Sequence, residues 1–216
     1  MLLKETFDAN ANESNANAMS KYMRNQFDYY GLKSPTRRAL FKEVLNKIGK
    51  PSYEEHFEIA KELYAQPQRE FHYCAIELSR FNKKKWDKRL FTHHEFLATH
   101  NSWWDTVDAT HSIIGSPYFQ KFPVERKKLD LWNTSDNMWL IRLSIIFQLH
   151  YKDKMDTELL AKYILPHIKS EEFFIQKAIG WALRNCSRVY PNWVLDFVAR
   201  TDLKPLSKRE AIRLIK

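Results

Sequence analysis

The segment Ser102-Trp103-Trp104-Asp105-Thr106-Val107-Asp108 carries two indoles and two carboxylates. On a helix, Trp104 and Asp108 are four apart and share a face, whereas Asp105 points roughly a quarter-turn away. A carboxylate aligned with an indole either accepts a hydrogen bond inside a core or stabilises positive charge beside an aromatic ring; Trp103 suits a core anchor. Farther along, Arg142 is the single cation in Met138-Trp139-Leu140-Ile141-Arg142-Leu143-Ser144-Ile145. Burying an unpaired guanidinium is costly, so Arg142 requires a carboxylate, a phosphate or solvent. A structural pair with Asp108 or another carboxylate is one account and a phosphate clamp is the other. Lys177, Trp181, Arg184 and Arg188 then recur at spacings of 4, 3 and 4. They form a stripe distinct from Phe174, Ala178 and Leu183. An indole flanked by cations suits a surface that receives sugar and phosphate, with core filling by Trp181 as the alternative.

These residues must be positioned by helices. In Phe173-Phe-Ile-Gln-Lys-Ala-Ile-Gly-Trp-Ala-Leu-Arg-Asn-Cys186, the residues Phe174, Ile175, Ala178, Ile179, Ala182, Leu183 and Cys186 make one apolar stripe at helical spacing. The segments MWLIRLSIIFQLHY, EFHYCAIELSRF and TRRALFKEVLNKI read the same way, and no alternating strand of comparable quality occurs. Ser34-Pro35, Pro67, Ser102, Ser135, Ser170 and Ser207 precede helical stretches at separations of 33, 35, 33, 35 and 37 residues. Each interval has room for two helices. Ser135-Asp136 reads as a helix opening, Glu171-Glu172 as an acidic first turn behind Ser170, and Pro191 and Pro205 as first-turn prolines. The expected fold is all-α, a curved α-solenoid of HEAT-like helical repeats forming a single domain over residues 1–216.

Composition narrows the partners. The chain has 216 residues, 44% of them hydrophobic, enough to bury a core without disulfides or a structural metal. With four glycines, it has no material for Gly-rich phosphate loops, so nucleotide-binding folds of that kind are not expected. Cys74 and Cys186 read as reduced core residues. His72, His93, His94, His100, His111, His150 and His167 show no metal-ligand spacing, so neither metal nor cofactor is expected. No window reaches the length of a membrane span, and a cytoplasmic protein is expected. The net charge of +9 points to a polyanionic partner, nucleic acid or anionic lipid. Cations cluster at Lys83, Lys84, Lys85, Lys88 and Arg89, at Lys121, Arg126, Lys127 and Lys128, and at Lys204, Lys208, Arg209 and Arg213. These groups either track a phosphate backbone or are solvated helix faces.

The segments SWWDTVDA, SDNMWLIRLSIIFQL, FFIQKAIGWALR and LSKREAI resemble the AlkD family of bacterial DNA glycosylases, and the resemblance runs from KYMRNQF to the last helix. It implies excision of positively charged N3- and N7-alkylated purines from duplex DNA on a curved stack of HEAT-like pairs, without an obligate protein partner. It assigns a catalytic carboxylate to Asp108, aromatic contacts on the deoxyribose to Trp104 and Trp181, and a backbone-contacting arginine to Arg142. Lys177 and Arg184 fall on the DNA side in the resemblance, Arg188 is expected there with them from its place in the stripe, and Tyr22 matches a position near the site. A non-catalytic module for distorted or branched DNA, or a helical scaffold for a protein partner, are the alternatives that would leave Asp108 unused.

Overall fold

A computed structural model of the chain describes residues 2–215. Its regular elements are all helical among the described residues, with one isolated bridge between Asp28 and Gln68. The all-α expectation is met. No helix among the described residues is long and apolar enough to cross a membrane. The chain falls into two compact units, residues 1–87 and 88–216.

The first unit contains α1 (Leu2–Asp8), α2 (Glu13–Tyr22), α3 (Ser34–Ile48), α4 (Glu55–Tyr64) and α5 (Arg69–Leu78). The polar run before Met19 is helical because Asn12 caps it: its Oδ1 accepts from the Asn15 N–H at 2.8 Å. The chain then returns through Tyr30, Gly31 and Leu32, whose backbone N–H groups all donate to the buried Glu70 carboxylate at 3.0–3.1 Å. Gly31 is obligatory there. Its φ is +82° and a Cβ would lie 2.1 Å from the Asn12 carbonyl oxygen.

The second unit contains α6 (Arg89–Thr99), α7 (Trp104–Thr110), α8 (Ser116–Lys121), α9 (Leu129–Asn133), α10 (Met138–Ile146), α11 (Thr157–Ile164), α12 (Phe173–Cys186), α13 (Pro191–Arg200) and α14 (Pro205–Ala211). A widened π turn, His111–Gly115, joins α7 to α8. Pro117 lies just beyond it and has no N–H for an intrahelical bond, so widening the helix here accommodates its ring. Helix α10 is apolar on nearly every side and packs against α6, α7, α9, α11 and α12, which makes it the centre of this unit. Cys74 and Cys186 are buried and unbridged, as expected.

The repeat reading survives with shifted boundaries. Helices start at Ser34, Arg69, Trp104, Met138, Phe173 and Pro205, so successive starts are 32–35 residues apart. Pro191 and Pro205 do open their helices. The caps differ from expectation. Asn137, rather than Ser135-Asp136, caps α10 by accepting from the Trp139 N–H at 2.9 Å. Glu171 and Glu172 precede α12 instead of forming its first turn, because the Ser170 hydroxyl accepts from the Glu172 N–H and holds that stretch as a turn. Ser207 lies inside α14, where its hydroxyl donates to the Gln176 carbonyl of α12.

Candidate active site

Three helices of the second unit are brought into register by an aromatic cluster at their starts. Trp103 precedes α7 in extended conformation (φ −153°, ψ 164°), and Ser102 ties this turn to α6 by donating to the Ala98 carbonyl at 2.7 Å. The Trp103 ring packs edge-on against Trp139 of α10 (5.9 Å between centroids) and Phe174 of α12 (5.2 Å), while Trp139 and Phe174 lie 5.0 Å apart. Pinned there, α7 carries Asp108 one turn beyond Trp104, α10 carries Arg142 one turn beyond Met138, and α12 carries Trp181 two turns beyond Phe174.

Arg142 and Asp108 meet in a two-pronged ion pair. Arg142 Nε donates to Asp108 Oδ1 and Nη2 to Oδ2, each at 2.9 Å. Its Nη1 donates to the Phe174 carbonyl at 2.7 Å. The guanidinium carbon stands 5.8 Å from the centre of the Trp181 ring. Of the two accounts of Arg142, the structure therefore shows the carboxylate partner. Three of its five N–H bonds are committed inside the protein and the residue is 4% exposed.

The pair is asymmetric in its access to solvent. The Asp108 side chain is 20% exposed against 5% for Arg142, and Trp104 and Trp181 are half-buried. Each Asp108 oxygen takes one hydrogen bond from Arg142 and keeps a lone pair. Burial raises the Asp108 carboxyl above its ordinary value of 3.8, against the pull of the Arg142 guanidinium, and Asp105 adds to the rise. A partly exposed carboxylate fixed in this way can hold a positive charge. Among the described residues no cluster of His, Cys, Asp or Glu is suited to a metal ion. His94 lies fully buried with both ring nitrogens unbonded, and burial pushes it down to about 3.

A match to the family model for DNA alkylation repair enzymes extends over residues 3–215. The chain belongs to that family. A solved structure described as a predicted DNA alkylation repair enzyme from Enterococcus faecalis is 32% identical, with a TM-score of 0.88, covering 95% of this chain and 96% of that one. Two Streptococcus mutans structures, smu.31 and AlkD2, share the fold at 16% identity and a TM-score of 0.64; each covers 82% of this chain, against 91% and 88% of their own. No curated protein matches the chain.

In this DNA alkylation repair family member, the remaining residues singled out by type sit elsewhere. Lys177 and Arg184 of α12 both bind Glu210 of α14, Lys177 at 2.9 Å, and Arg213 approaches the same carboxylate at 4.0 Å. Gly180 makes this seam possible, because a Cβ there would fall 2.5 Å from Glu210 Cβ. Arg188 does not continue the stripe. Helix α12 ends at Cys186, and the Tyr190 N–H closes the turn onto the Cys186 carbonyl ahead of Pro191, leaving Arg188 exposed in the connection. Tyr22 is the last residue of α2 in the first unit and is 71% exposed. The type-based reading missed Phe174, whose carbonyl anchors Arg142, and Glu210. The adjacent Phe173-Phe174 ahead of a helical stripe was a usable signal for the first.

Proposed function

We propose that this protein is a DNA glycosylase that hydrolyses the N-glycosidic bond of positively charged N3- and N7-alkylated purines in duplex DNA. The observation that carries this reading is a partly exposed carboxylate held in a two-pronged contact by a buried arginine whose guanidinium carbon lies 5.8 Å from the centre of the Trp181 ring. Breaking the C1′–N bond sends its electron pair to the base, which departs neutral because the alkylated purine began as a cation. The sugar takes on the positive charge. Asp108 stabilises that charge through its free lone pairs, and water adds at C1′ and releases a proton. The faces of Trp104 and Trp181 favour the developing cation. Arg142 acts as a positioning residue that fixes the carboxylate's orientation, and no general acid on the base is required.

Lys177, Arg184, Arg188 and Tyr22 are the proposed contacts to the DNA backbone, supported by the net charge of +9 and by the family. The test is release of 7-methylguanine and 3-methyladenine from methylated duplex DNA by the wild-type chain beside Asp108→Asn. Release by the wild type with loss in the variant is expected. Binding of distorted duplex with no release by the wild type would make the protein a non-catalytic module instead.

A further inference from the structure

The first unit carries two adjoining clefts that the proposed reaction does not use. One, of about 370 Å³, lies among α1, α3 and α4 and is floored by Val44, Leu45, Ile59 and Leu63, with Leu2 and Ile48 at its rim. The other, of about 340 Å³, lies between α3 and the end of α5 and is ringed by Arg38, Lys42, Lys50, Arg80 and Phe81. They share Phe41, Leu45 and Lys50 and so form one continuous surface. Leu2, Ile48 and Phe81 are 38%, 65% and 42% exposed, which makes them three of the four exposed large hydrophobic residues of this unit. Apolar side chains gathered at one concave place mark a binding surface more than scattered ones do.

The charge of the surface is one-sided. Glu77 is the one carboxylate lining the cationic cleft, and it already accepts from Arg37 and Arg38 at 2.8 Å each. Glu55, at the apolar cleft, is turned onto the Ser52 N–H at 2.8 Å. Lys42, Lys50 and Arg80 pair with no carboxylate among the described residues. A phosphate backbone would satisfy these cations and leave Leu2 and Ile48 uncovered. An occupant must supply anions and a large apolar group within one short span.

We propose that this face of the first unit docks an acidic peptide segment of a partner protein. The segment places a large apolar side chain in the cleft of Leu45, Ile48 and Leu63 and its carboxylates against Lys42, Lys50 and Arg80. Electrostatic complementarity of this kind sets partner choice and speeds encounter.

The test titrates the full chain into a fluorescein-labelled peptide, Asp-Asp-Glu-Leu-Leu-Phe, and follows anisotropy at physiological salt. Saturable binding is expected, weakened tenfold or more by Lys42→Glu and by Ile48→Asp, both solvent-exposed positions. Thermal unfolding followed by circular dichroism checks that both variants stay folded. The proposal is overturned if the peptide does not saturate, if a version with lysines in place of its acids binds as well, or if neither variant weakens it. It is equally overturned if Lys42→Glu weakens duplex DNA binding as much as peptide binding, which would make the surface a DNA contact. A wild-type dimer in sedimentation that Ile48→Asp dissolves would assign the face to a second copy of the chain.

Discussion

Asp108 and Glu210 are both carboxylates in the second unit, both meet cations at helix α12 or its neighbours, and their surroundings drive them in opposite directions. Glu210 is ringed by Lys177, Arg184 and Arg213, and Lys177 above all pulls its carboxyl below the ordinary value. Asp108 meets one guanidinium, and burial outweighs that partner and raises it. At Glu210 the cations come from the surface and close over the carboxylate, so the pairing holds α14 on α12 where Gly180 lets the two approach. At Asp108 the cation comes from the core and leaves the carboxylate partly open to solvent. Two groups of the same type whose surroundings push them apart take different roles: one closes a seam and the other remains available for chemistry.

The strongest way to break this contrast is to neutralise each carboxylate in turn. Asp108→Asn should lower single-turnover excision of 7-methylguanine by about a hundredfold or more while leaving affinity for duplex DNA within a few fold. Wild-type rates in that variant would remove the chemistry from Asp108. Arg142→Ala comes next. It strips a nearly buried pair of one partner and should lower stability by about 3 kcal/mol, read by urea unfolding. Its excision should fall through the rate constant, since an Asp108 that has lost Arg142, which the Phe174 carbonyl anchors, loses its fixed orientation. If instead the rate at saturating DNA held and the affinity loss grew with salt, Arg142 would be a phosphate clamp.

Much of this was legible from residue types. The spacing of Trp104 and Asp108 places them on one face of α7, the lone Arg142 in an apolar run demands a partner, and the even interval of breaks matches helix starts 32–35 residues apart. What stayed hidden is long-range. Arg142 and Asp108 are 34 residues apart, so which carboxylate, or which phosphate, meets the guanidinium depends on how consecutive pairs stack. Helix ends were misplaced where capping overrides periodicity: Asn137 takes the cap from Ser135, and the turn before Pro191 stops α12 short of Arg188. Glu210 sits inside Lys208-Arg209-Glu210-Ala211-Ile212-Arg213, a segment that reads as simply basic until α14 is laid on Gly180.

Glu210→Gln probes the other side of the contrast. Losing a charged acceptor for Lys177 and Arg184 should cost about 1–2 kcal/mol of stability. It also frees those cations, so affinity for duplex DNA should rise two- to threefold at low salt, with a steeper salt slope and excision from bound DNA unchanged. An unchanged salt slope would place Lys177 and Arg184 away from the DNA.

The subtlest separation expected is one in pH. A carboxyl whose value is raised by burial loses its charge at a higher pH than a free one, so the acid limb of excision should lie above 3.8, the ordinary aspartate value. Glu210, lowered by its cations, contributes stability that is fully present above 4.5 and is lost only as pH falls through its depressed value. Buried, neutral His94 adds a separate decline. The unfolded chain takes up its proton below about 6.5 and the folded one only near 3, so by pH 5 this histidine alone removes about 2 kcal/mol. His94→Leu should flatten that decline without moving the acid limb of excision. Single-turnover rates and urea unfolding of wild type and His94→Leu between pH 4.5 and 7.5 separate the two. If the acid limb of excision shifted together with stability in the variant, the limb would report unfolding, and Asp108 would have no distinct titration.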